Sequence, residues 1–443
     1  MTSCPPPFPA CHQVTTQERE AIRRGIDRDE LVQRILELCN IPSPMRGERA
    51  AGEYVHAWMR EEGFAPRKIG LVEDRFNVVG RYGGHGDGPN LLFTSHLDTE
   101  SPFYSAVDRH TYRPGGVDRR EWLEAWLEGE RFHGYAVAND RGPMACFLLA
   151  ATALKRAGIE LDGTLYLTAC PGEIGPEPEP TEGHEGIAHT GRELGAAYVL
   201  AHGGVAPDFA IAAEGTDFGL NWAACGYCYY RITLYGEAIF TPILEHAHTP
   251  RDNPIVRMGQ AIAAITAWAE RYEIEHTYHS PGGGTVVPKV QIGAIRGGNP
   301  QAIGASSEAC SLYLEIITGP RQRVGDVDRE LKRVLRAAGI DDCEVEPYAV
   351  RTGFEADPQA VQPLRQAIDL AHQQVRGGPV QVGHPVFSSM WRDHNVFNMN
   401  RVPAVTLGPV RWLPSIEDMY QCTELYALTA LALCGRHRSG QAG

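Results

Sequence analysis

Apolar positions along this chain recur with two alternating periods. DRDELVQRILELC and ERAAGEYVHAWMREEGF repeat at helical spacing, with Tyr54, Val55, Trp58 and Met59 on one face and Gly63 as a stop. LLFTS, TLYLTA and DFAIAAEG are short continuous apolar runs, the pattern of strands covered on both faces, and a helix from about Pro143 (PMACFLLAATALKRAG) separates the first two. Strand, helix, strand in that order predicts parallel pairing through a right-handed crossover. From about Gly219 the texture changes. YYRITLYG, a helix from about Pro254, VVPKVQIGAIRGG, CSLYLEII and DVDRELKRVLRAAG predict a small α+β unit with an antiparallel sheet. After about residue 350 the first texture returns, with a helix in PQAVQPLRQAIDLAHQQV, the strand PAVTLG and a helix in CTELYALTALALC. The expectation is an α/β chain whose mostly parallel mixed sheet is flanked by helices, with one domain over 23–218 and 351–443, an inserted α+β domain over 219–350, and a proline-rich arm over 1–22.

Length agrees with two domains, because single cores stop growing at roughly 250–300 residues and this chain has 443. No apolar run reaches the ~18 residues of a membrane span, and MTSCPPPFPACHQ lacks the basic start and apolar stretch of a secretory signal. A net charge of -14 argues against nucleic acid or an anionic membrane as partner. Eleven scattered cysteines without a framework fit a reducing cytoplasm, and the one CxxC, Cys225 to Cys228, reads as core within a strand.

Candidate chemistry gathers where strands end, which is where open α/β sheets bind ligands. Ser95-His96-Leu97-Asp98 follows LLFT, Glu173 follows TLYLTACPG, Glu214 follows DFAIAA, and Asp140 stands at the entry to the helix in GYAVANDRGPMA. Imidazole and carboxylates converging from separate strand ends suit zinc, manganese or cobalt. In His96-x-Asp98 the carboxylate is placed to hold the imidazole's other N–H.

These motifs resemble the metallopeptidases of aminoacylase, acetylornithine deacetylase, succinyl-diaminopimelate desuccinylase and carboxypeptidase G, over nearly all the chain after the arm. SHLDTE is similar to the family's first histidine motif, FHGYAVANDRGPMA to the segment of its bridging aspartate, AAEGTD to a later carboxylate ligand, and VVPKVQIGAIRGG to a strand of its lid domain. The resemblance implies a catalytic domain with an inserted lid through which members often dimerise, a divalent metal, His96, Asp140 and Glu214 as ligands, and Asp98 as a catalytic partner of His96. The chain also departs from the family. Gly172-Glu173 stands where the family has two glutamates, so Glu173 matches a metal ligand and Gly172 replaces the general base. RWLPSIEDMYQ contains no counterpart of the C-terminal histidine ligand, and Ile317 lies near where a lid arginine is common. The expectation that follows is one ion rather than two, with Glu173 free to act as base; His394, in MWRDHNVF, is the alternative that would restore a second ion.

With the usual arginine absent, Arg296, Arg392 and Arg251 are the candidates for a substrate carboxylate, because guanidinium binds it bidentately. Trp391, His246, His248 and His394 are further candidate substrate contacts; His184, His189 and His202 read as loop histidines. Phe103, Tyr104, Tyr135 and Trp391 would suit a flat substrate. The function expected is hydrolysis of a C–N bond in a small carboxylate-bearing substrate by metal-activated water. The alternatives are an aminohydrolase releasing ammonia from an aromatic amine of the nitroanthranilate kind, and a non-catalytic binding relative. A small-molecule substrate and a homodimer through the lid are the expected partners.

Overall fold

The computed structural model describes residues 11–99, 113, 119–174, 189, 191, 193–245 and 253–435. The strands of its two larger sheets are β1 (Arg67–Val72), β2 (Arg75–Gly83), β3 (Leu91–His96), β4 (Thr164–Cys170), β5 (Phe209–Ala213), β6 (Gly226–Tyr235), β7 (Val290–Gly297), β8 (Ala309–Thr318), β9 (Glu344–Arg351) and β10 (Ala404–Leu407). The chain divides into two compact units. One comprises 1–222, 356–384 and 392–443; the other comprises 223–355 and 385–391.

The first unit carries a six-stranded sheet in the order β1-β2-β4-β3-β5-β10. β1 and β2 are antiparallel, β2 meets β4 antiparallel, and β4, β3, β5 and β10 run parallel. The three apolar runs are its central strands. Every residue of β3 and β5 is buried, as strands covered on both faces require. Between β3 and β4 the chain returns through helix Gly142–Arg156, buried on all sides from Gly142 to Leu154. Phe147 of that helix stacks on Phe93 of β3 at 5.6 Å between ring centroids, and Tyr426 of the last helix, Ile416–Cys434, meets the same ring at 5.0 Å. A capping box at Ser415 and Asp418 starts that last helix. Burial of each such aromatic contributes about 1.5–3 kcal/mol, and the result is a stiff floor under the strand ends.

The second unit is a four-stranded antiparallel sheet, β7-β8-β6-β9, packed on helices Pro254–His276 and Val324–Ala337. β8 alternates buried and half-buried positions along its whole length, one face on the helices. Met258, Ala261, Ile265, Trp268 and Tyr272 of one helix and Val327, Leu331 and Leu335 of the other form the apolar stripes that cover it.

Three strands are not legible as apolar runs. β1, RKIGLV, is mostly exposed at the sheet's edge, β2 follows it across a tight turn, and β9, EVEPYAVR, carries Pro347 on an edge strand where a missing N–H is tolerated. The described cysteines are free thiols, with Cys225 and Cys228 buried. No helix among the described residues is long and apolar enough to cross a membrane.

Candidate active site

β3 ends on His96, and the next three residues turn the chain so that the imidazole is clamped from both sides. Its Nδ1 lies 2.7 Å from the backbone oxygen of Asp98, which fixes that nitrogen as a donor and leaves Nε2 facing inward. Nε2 lies 3.3 Å from Asp140 Oδ2 and 3.9 Å from Glu173 Oε2. The partner of the imidazole N–H is thus the Asp98 carbonyl and not its carboxylate, whose Oδ1 is 3.8 Å from Nδ1. The carboxylate is engaged elsewhere. It accepts the backbone N–H groups of Glu173 at 3.2 Å and Ile174 at 2.8 Å, so Asp98 fastens the loop that presents Glu173.

That loop explains the lone acid after β4. Gly172 adopts φ +75°, and a Cβ there would come within 2.6 Å of the Gly191 backbone. No side chain fits where the family has a glutamate.

Asp140 enters from the segment before helix Gly142–Arg156. Asn139 and Asp140 have non-helical backbone angles, and the peptide between them is cis. The Asp140 carboxylate faces His96 through Oδ2, and Oδ1 accepts the Gly215 N–H at 3.2 Å. Glu214, at the end of β5, bonds through Oε2 to Arg392 Nη1, and the same Nη1 lies 4.0 Å from Asp140 Oδ2. Arg411 approaches from the end of β10, its Nη1 3.6 Å from Asp140 Oδ1 and its Nη2 donating to Asn139 Oδ1 at 3.4 Å. The two strand ends are brought together by Gly408, where a Cβ would lie 2.1 Å from the Glu214 carbonyl oxygen.

All of these groups except the partly buried Glu173 are nearly inaccessible to solvent, so each charge feels the others at low screening. Burial disfavours a charged His96, yet the Asp140 hydrogen bond and the Glu173 and Asp98 carboxylates outweigh it and push the imidazole up to about 10. Burial also opposes ionisation of Asp140, but Arg411, His96 and Arg392 hold it below the ordinary carboxylate range. Asp98 is lifted above that range by burial. Burial and the neighbouring Arg411 bring Arg392 down to about 10. The carboxylates around His96 therefore demand positive charge beside them.

A divalent ion would meet that demand. His96 Nε2, Asp140 and Glu214 are an imidazole and two carboxylates from three chain segments, right in kind for such an ion, with Glu173 alongside. They are wider apart than a closed metal cage. Among the described residues, three donors already within 4.8 Å of one another occur at Glu275, His276 and Glu330 of the second unit. There the Glu330 oxygens already pair with Trp268 Nε1 at 2.7 Å and His276 Nε2 at 3.0 Å.

Other candidates fall elsewhere. His394 is fully buried with Nδ1 2.6 Å from Thr406 Oγ1, and burial together with Arg392 pushes it down to about 3, so it stands neutral outside the carboxylate cluster. Arg296 lies on β7 over the Tyr313 ring at 5.7 Å, and Trp391 lies under Arg351 at 5.3 Å, both within the second unit. His202 packs on Tyr198, and His189 is 4.0 Å from Glu193. His246, His248, Arg251, His184, Phe103 and Tyr104 lie outside the described residues. Tyr135 stacks on Trp122 at 4.5 Å and tilts toward Trp412 at 6.4 Å. The sequence reading missed Arg411, although it stands four residues beyond the end of β10, in the kind of position that pointed to the other four groups.

No family model matches the chain. Among curated proteins it is 28% identical to carboxypeptidase G2 of Pseudomonas sp., over 34% of this chain and 32% of that protein, so this match spans about a third of the relative's length. It is 23% identical to N-formyl-4-amino-5-aminomethyl-2-methylpyrimidine deformylase of Bacillus subtilis, over 93% of this chain and 96% of that one. Among solved structures, the M20 family metallo-carboxypeptidase Sso-CP2 of Sulfolobus solfataricus superposes with a TM-score of 0.62 at 14% identity, over 92% of this chain and 99% of that one. In sequence the chain is thus similar to a carboxypeptidase and a deformylase, and in fold to a metallo-carboxypeptidase of the kind that its motifs resemble.

Proposed function

We propose that the chain is a metal-dependent hydrolase that cleaves the C–N bond of a small, carboxylate-bearing amide. The observation that carries this reading is His96, with Nδ1 held on the Asp98 carbonyl and Nε2 aimed at Asp140 and Glu173 in a buried anionic pocket. His96, Asp140 and Glu214 would hold the ion, Glu214 sharing its carboxylate with Arg392. When bound, a divalent ion supplies Lewis acidity to the substrate carbonyl and acidifies water toward a pKa of about 7.

The remaining steps belong to the chain. Glu173 Oε accepts the proton of the attacking water and returns it to the departing nitrogen, work worth about 10²–10⁴ in rate. Asp98 keeps Glu173 in place through the loop backbone. Arg411 and Arg392 keep Asp140 ionised throughout, because each faces one of its oxygens. The relatives support hydrolysis of a C–N bond, a carboxypeptidase and a deformylase among them, and lend nothing to an aromatic aminohydrolase or a non-catalytic protein.

The test is amine release from a panel of N-formyl, N-acyl and N-carbamoyl amino acids and small ring amines, with the protein loaded with zinc or manganese and then stripped by chelator. Hydrolysis of at least one class that disappears on stripping supports the reading. Metal-independent release, or none across the panel, overturns it.

A further inference from the structure

Four carboxylates converge at this site, those of Asp98, Asp140, Glu173 and Glu214, and two guanidiniums, Arg392 and Arg411, enter the same space. Because an uncompensated buried charge is strongly unfavourable, these guanidiniums already compensate part of the carboxylate charge that metal ions would otherwise balance.

Both guanidiniums reach the same carboxylate. Arg392 bonds to Glu214 and approaches Asp140 Oδ2 at 4.0 Å, while Arg411 lies on the opposite oxygen, Oδ1, at 3.6 Å and is tied to Asn139. Both sides of Asp140 are thus covered by guanidinium charge, leaving the His96 Nε2 side as the approach without a guanidinium. A cation bridging Asp140 from the far side would sit against two like charges at roughly 4 Å in a poorly screened medium.

We propose that Arg392 and Arg411 act as a built-in cation pair that stands in for a second metal ion, holding Asp140 and Glu214 and limiting the site to one divalent ion. The proposal rests on the metal-dependent reading above, and the experiment separates the two. Manganese alone, and separately zinc alone, is titrated into the stripped full-length protein, and bound ions per chain are counted by elemental analysis and native mass spectrometry. Wild type is expected to plateau at one. Arg392→Gln/Arg411→Gln is expected to plateau at two, and the charge-retaining Arg392→Lys/Arg411→Lys to remain at one. A wild type that takes two ions, or a Gln pair that stays at one, overturns the proposal and leaves the hydrolase reading intact; a wild type that binds none sinks both. If the Gln pair does not fold, Arg411→Met decides. Its manganese affinity is expected to tighten at least tenfold, and unchanged or weaker binding overturns the proposal.

Discussion

His394 offers the sharpest quantitative prediction, because it separates a buried neutral histidine from the metal ligand that its place in the chain suggests. It is fully buried, its Nδ1 meets Thr406 Oγ1 at 2.6 Å, and burial with Arg392 nearby pushes it from 6.5 to about 3. The folded value lies below the unfolded one, so the unfolded chain binds the proton first, and stability is full above about 6.5 and falls as pH drops toward 3. Between those values each pH unit costs about 1.4 kcal/mol, which amounts to about 2 kcal/mol lost between pH 7 and pH 5 from this residue alone. Other groups titrate over the same range, so the quantity of interest is a difference. His394→Asn keeps a polar atom facing Thr406 and removes the titration. Urea unfolding of the stripped wild type and variant at pH 7 and pH 5 should give a wild-type loss about 2 kcal/mol larger than the variant's. Equal losses would refute the assignment of His394 as neutral and buried, and a loss of bound metal in His394→Asn at pH 7 would make it a ligand after all.

Three further outcomes follow from the same geometry. Gly172→Ala forces a side chain into φ +75° against the Gly191 backbone and should destabilise by about 1–3 kcal/mol in urea unfolding, with no gain in activity. Asp98→Ala strips the acceptor from the Glu173 and Ile174 N–H groups; kcat should fall about 10²-fold as Glu173 drifts, with a stability loss of about 1–3 kcal/mol, measured by steady-state kinetics and urea unfolding. Gly408→Ala places a methyl against the Glu214 carbonyl, and the displaced strand end should weaken manganese binding as well as lower the unfolding midpoint.

Most of the fold was legible because its central strands are buried on both faces and read as unbroken apolar runs. LLFTS, TLYLTA and DFAIAA became β3, β4 and β5, and the helix from Pro143 joins the first two. Edge strands carry no such signal: β1 is exposed and β9 contains a proline, so both were passed over. At the site, strand ends pointed to His96, Glu173 and Glu214 and a helix entry to Asp140, and the fold brings Asp140 and Glu173 to His96. What periodicity could not convey was orientation. Nothing in His96-x-Asp98 tells whether the carbonyl or the carboxylate meets the imidazole, because that depends on the backbone of a loop more than seventy residues away drawing the carboxylate off. Arg392 was recognised as a candidate for substrate, whereas its guanidinium lies on Glu214, a pairing set by the tertiary approach of segments 178 positions apart. Arg411 shows the same limit, since one arginine after a short strand resembles any solvated surface arginine until the sheet brings it to Asp140.

The central claim is that this pocket performs metal-dependent C–N hydrolysis with Glu173 moving the proton. Its most direct test compares amine release by wild type and Glu173→Gln on the best substrate of the panel, with bound metal matched by elemental analysis. The account predicts that the variant keeps its metal and loses about 10²–10⁴ in kcat. A variant that hydrolyses as fast as wild type at equal metal content would contradict it.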